Sequence, residues 1–117
     1  MTVETPVGRT AQEYHVQNSI RDGYLVKFRF QKLDEDLVVL LIFECKGRTV
    51  ELELLGVTEF AFEYQQGNFP LCVEFVKCLL NEDGFYLSLD PWKEEERFAS
   101  ENDNEVFRSK SFSLTIS

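Results

Sequence analysis

From residue 24 onwards the chain alternates apolar and polar residues in short runs. Tyr24, Val26, Phe28 and Phe30 are interleaved with Lys27, Arg29 and Gln31, and a period of two places the two sets on opposite faces of a half-buried strand. Residues 49–54 set Val50, Leu52 and Leu54 against Glu51 and Glu53, and residues 59–64 set Phe60, Phe62 and Tyr64 against Glu59 and Glu63. Residues 37–43 are apolar on both sides and rich in branched side chains, the pattern of a central strand covered on both faces. Residues 71–80 read as a single strand whose parity changes near Val76, which predicts a β-bulge or an end twist. Phe85, Leu87 and Leu89 alternate with Tyr86, Ser88 and Asp90, and Phe112, Leu114 and Ile116 with Ser111, Ser113 and Thr115. Asp22-Gly23, Lys46-Gly47-Arg48, Gln65 to Pro70 and Asn81 to Gly84 supply turns between these runs.

No window sustains an amphipathic helical stripe, apart from a turn or two around residues 92–99. Tyr14 to Ile20 is therefore expected as the first strand. The resulting fold class is all-β: an antiparallel meander of about eight strands forming a sandwich or partly open barrel, with little or no helix. Residues 1–12 read as a loose leader and 13–117 as one β domain, a length that a single core supports. The long connection at 90–104 is an acidic loop.

Charge narrows the partners. Twelve Lys and Arg against 21 Asp and Glu give a net charge of −9, which disfavours nucleic acid and anionic membranes and favours a basic protein partner or plain solubility. The longest apolar run, 37–43, falls short of the about 20 residues of a membrane-spanning helix, and residues 1–20 lack the apolar stretch of a secretory signal. A soluble, cytoplasmic protein is the expectation. Cys45, Cys72 and Cys78 form no CxxC pair, so they are expected as reduced thiols, not as a disulfide framework or zinc site.

Candidate chemistry is sparse. His15 is the only histidine, and the glycines stand singly, forming neither a phosphate loop nor a dinucleotide fingerprint. The strand glutamates occupy solvent-facing positions, whereas a catalytic acid needs a partly desolvated pocket. The sequence therefore predicts no catalytic residue, metal ligand or cofactor. Two binding candidates remain. Glu51 and Glu53, with Glu59 and Glu63 on a following strand, would form an acidic face if those strands pair. The 90–104 loop offers Trp92, Glu94, Glu95 and Glu96, and tryptophan is enriched where proteins bind each other.

The order of several segments adds a family likeness. Tyr14-His15 leading to Ile20, the 50–57 stretch (Val50-Glu51-Leu52-Glu53-Leu54-Leu55-Gly56-Val57), the 84–89 strand and the closing Phe107-Arg108-Ser109-Lys110-Ser111-Phe112 strand resemble small bacterial β-rich proteins of the immunity type. The resemblance runs from about residue 13 and carries no individual site residue. It implies a non-enzymatic domain that neutralises a toxin by binding it. The alternatives are a small-ligand-binding barrel or sandwich lined by Tyr24, Tyr64, Tyr86 and Trp92, or a structural domain. A monomer or an edge-strand dimer is expected.

Overall fold

In the computed structural model, which describes residues 11–63, 67 and 69–117, the alternating runs become seven antiparallel strands preceded by one helix. The elements are α1 (Ala11–Ile20), β1 (Gly23–Leu33), β2 (Asp36–Cys45), β3 (Arg48–Ala61), β4 (Leu71–Val73), β5 (Lys77–Asn81), β6 (Gly84–Asp90) and β7 (Asn104–Ile116). The fold is the all-β antiparallel, partly open barrel that the alternation predicts. Strand order across the single sheet is β4-β1-β2-β3-β7-β6-β5.

That order forces the sheet to curl. Its two edge strands, β4 and β5, are separated in sequence only by Glu74, Phe75 and Val76. Four residue steps span at most about 14 Å, whereas seven flat strands would put the edges roughly 29 Å apart. The sheet must therefore bend until its edges approach, and α1 and the 91–103 segment fill the remaining gap. Gln17 Nε2 donates to the Val76 carbonyl at 2.6 Å, the Leu80 N–H to Glu13 Oε2 at 2.6 Å and the Asp22 N–H to the Val73 carbonyl at 2.7 Å. Polar groups along both edges are thus satisfied by side chains and backbone, as buried backbone requires.

Three expectations about elements are corrected. Tyr14 to Ile20 lies in a helix, and its buried positions Glu13, Val16, Gln17, Ser19 and Ile20 follow helical spacing. Three of those five are polar, so the stripe is visible in burial and faint in hydrophobicity. The runs at 49–54 and 59–64 do not form two strands: β3 continues through Gly56, where a positive φ of 67° and a register shift between Val57 and Glu59 mark a bulge. The bulge expected near Val76 is instead a crossing, with residues 71–73 and 77–81 on opposite edges of the sheet. Residues 92–99 contain turns and no helix.

Inside the barrel, Leu25, Leu41, Phe43, Leu52, Leu54, Leu87 and Phe107 are fully buried. Phe28 stacks edge-on with Phe62 and Phe69 at ring separations of 5.1 and 5.6 Å, and Phe62 lies 5.5 Å from Phe107. Of the aromatic residues expected to line a ligand cavity, Tyr24 and Trp92 are exposed, Tyr86 is buried on the outer side of β6, and Tyr64 lies outside the described residues. No helix among the described residues is long and apolar enough to cross a membrane.

Candidate partner-binding face

The 90–104 loop is built from its charges. Lys77 and Leu79 of β5, Tyr86 and Ser88 of β6 and Val106 of β7 share the outer face of the sheet, and all five are buried because the 91–103 segment, here called the strap, lies across them. The Lys77 side chain is 1% exposed and Asp103 0%. The Lys77 ammonium donates to Asp103 at 2.9 and 3.0 Å, to Glu96 Oε1 at 3.1 Å and to the Phe98 carbonyl at 3.1 Å. Asp103 also accepts from the Tyr86 hydroxyl at 2.7 Å and from the Trp92 and Ser100 N–H groups, each at 2.9 Å.

Burial raises the Asp103 carboxyl, but donors at Ser100, Tyr86, Trp92 and Lys77 outweigh it and hold the group below the usual carboxylate range. Burial, and then Asp103 itself, push the Tyr86 phenol well above its ordinary range. Two further ion pairs fasten the strap to α1 and its C-terminal end. Arg21 reaches Glu94 at 2.7 and 3.1 Å, Glu94 also accepts the Val76 N–H at 2.7 Å, and Arg97 reaches Glu13 at 2.6 Å.

The predicted binding residues are therefore divided. Glu94 and Glu96 face inward onto Arg21 and Lys77, while Glu95 and Trp92 face solvent. Glu51 and Glu53 do not meet Glu59 and Glu63 across a strand pair, because Glu51, Glu53 and Glu59 all lie on β3. Glu51 is instead flanked by Ile42 and Thr115, and Glu53 by Leu40 and Ser113. Glu59 makes an exposed 3.9 Å pair with Arg108, whose guanidinium lies 4.7 Å from the Tyr86 ring centre.

Glu63 joins a different set. At the end of the barrel where β3 and β6 stop and β7 starts, Phe60, Phe62, Glu63, Asp90, Asn104 and Glu105 line an open groove of about 690 Å³. A pocket of about 170 Å³ continues it towards Phe69 and Leu71. Glu105 stands there at a positive φ of 52°. Its Oε1 accepts the Glu63 N–H at 3.3 Å, and its buried Oε2 meets no donor among the described residues. Burial raises the Glu105 carboxyl above its usual range, and the Glu63 and Asp90 charges add to the rise against the Glu63 N–H. None of the three carboxylates forms an ion pair among the described residues.

Among the described residues no group of three or more His, Cys, Asp or Glu is placed to hold a metal ion. His15 sits exposed on α1. The sequence reading missed Lys77, Asp103 and Glu105. A lone lysine in an otherwise apolar strand, facing a loop full of acids, was the available signal for the first two.

No protein-family model matches the chain, and no curated protein or solved structure matches it either.

Proposed function

We propose that this chain is a non-enzymatic domain that binds a basic protein partner through the groove end of the barrel. The observation that carries the reading is the set Glu63, Asp90 and Glu105, which lines one groove beside exposed Phe60 and forms no ion pair among the described residues. Carboxylates held on an aromatic floor suit lysine and arginine side chains, which present apolar stems as well as charge. Electrostatic complementarity of this kind accelerates encounter and selects partners. The resemblance to immunity-type proteins makes a toxin domain the partner of choice. In this reading the domain acts as a monomer in the cytoplasm, where Cys45, Cys72 and Cys78 stay reduced.

Affinity capture from cell lysate with the full chain, followed by association kinetics on the purified partner, tests the proposal. The partner should be basic, and its association rate should fall by about tenfold or more between low and physiological salt. Glu63→Lys with Asp90→Lys should slow association, and Glu51→Lys with Glu53→Lys should change it less. An acidic partner, or a rate indifferent to both salt and the groove variant, would overturn the reading.

A further inference from the structure

Trp92 and Phe98 are each 61% exposed and Phe75 is 55% exposed. Side chains of this size left in water on a mobile loop would be unremarkable, but the backbone that carries these is pinned. The Trp92 N–H is bound to Asp103 Oδ1 at 2.9 Å, and the Phe98 carbonyl accepts from Lys77 at 3.1 Å, so both residues hang from the same buried ion pair. Phe75 precedes Val76, whose N–H is held by Glu94 at 2.7 Å. The conformational entropy of the strap is thus lost on folding and not on association, which is the condition for an aromatic residue to act as a strong anchor.

The charges around the rings select the occupant. Glu94 is paired with Arg21, and Glu96 and Asp103 share Lys77, so these three carboxylates are engaged internally. Glu74, Asp90, Glu95 and Glu101 form no ion pair among the described residues, and Lys93 is the one strap cation without a partner there. Four unpaired carboxylates against one ammonium repel a second copy of this acidic chain and attract a surface in which apolar pockets are ringed by lysine and arginine. Resting on the function proposed above, we infer that the strap is the anchor of the interface. Trp92 and Phe98 enter apolar pockets of the basic partner, while the acidic rim and the groove beside it orient the approach. The arrangement matches interfaces in which central aromatic anchors provide most of the affinity and a polar rim excludes water.

Peptides selected from a random phage-displayed library against the full chain provide a defined probe. Selected peptides should combine apolar residues with lysine or arginine, and their binding should shift Trp92 fluorescence to shorter wavelength. Affinity should fall by about thirtyfold in Trp92→Ala with Phe98→Ala. It should be unchanged in Tyr24→Ala, which removes an exposed aromatic elsewhere. Both substituted strap side chains are solvent-exposed, and an unchanged circular dichroism spectrum verifies that the variant folds. Basic peptides that ignore the strap variant and lose binding only in Glu63→Lys with Asp90→Lys would overturn this inference and leave the proposed function standing. Failure to enrich basic peptides would overturn both. Concentration-dependent dimerisation abolished by Trp92→Ala would assign the surface to a second copy and overturn the inference.

Discussion

Replacing Asp103 by asparagine should release the strap while leaving the barrel folded. In the native protein the three N–H bonds of the Lys77 ammonium are matched by Asp103, Glu96 and the Phe98 carbonyl. The Asp103 carboxylate takes donors from four residues. An asparagine keeps the shape but removes the charge, and it turns one acceptor into a donor facing either the Trp92 N–H or the Ser100 N–H. Removing one partner of a buried pair costs about 3–5 kcal/mol because the other charge stays buried. A domain of this size has about 5–15 kcal/mol in total, so the loss is a large share of it. The strap, however, covers the outer face of β5, β6 and β7 and not the interior core, so the cost is capped by the free energy of detaching the strap alone.

The protein carries its own reporter for that event, since Trp92, the only tryptophan, lies on the strap. In urea titrations the wild-type fluorescence and far-ultraviolet circular dichroism transitions should coincide. In Asp103→Asn the fluorescence transition should move to lower urea and separate from that of the barrel. Lys77→Met combined with Asp103→Leu should restore part of the loss, because it leaves neither charge buried. Coincident transitions in Asp103→Asn with a loss below about 1 kcal/mol would refute the assignment of the pair as the strap's anchor. The pH dependence has a definite sign. A carboxyl whose folded value lies below its unfolded value of about 4 stabilises above that value and ceases to do so as pH falls through the folded one. The contribution of Asp103 should therefore be complete above about pH 4 and be lost in stronger acid.

Other parts of the structure make separate demands. Glu13→Ala should destabilise by about 3 kcal/mol in urea unfolding, because it strips the Leu80 N–H and Arg97 of their acceptor inside a packed helix face. Glu105→Gln should stabilise the domain at neutral pH and flatten its stability profile above about pH 4.5. A group whose folded value is raised contributes stability at low pH and loses it as pH rises; a thermal midpoint that fell at pH 7 would contradict this. Gly84→Ala should cost about 2 kcal/mol or more, since Gly84 has a φ of 128° and an added Cβ would sit 2.4 Å from the Ser109 carbonyl oxygen. Gly47→Ala, with φ of 76° and nothing within 4 Å of the added carbon, should cost less on the same measurement.

The sequence by itself determined the strands, because period-two alternation is a local consequence of having a core on one side and water on the other. β1, β6 and β7 are legible in this way, β2 is legible from its unbroken apolar run, and the tight turn at Lys46-Gly47, where both residues adopt positive φ, is legible from its turn residues. It also placed Trp92 and Glu95 on a connection outside the strands. What it left undetermined depends on groups far apart in the chain. α1 buries Glu13 and Gln17 because their partners lie 67 and 59 residues away, so its burial pattern leaves only a faint hydrophobic trace. The strap is ordered by Arg21 with Glu94, Glu13 with Arg97 and Lys77 with Asp103, separated by 73, 84 and 26 residues. The groove at the end of the barrel collects Glu63, Asp90 and Glu105 only because β7 lies between β3 and β6 in the sheet. Alternation fixes which way a side chain points from its strand, whereas its neighbours follow from strand order, and strand order was decided by closing the sheet around one core.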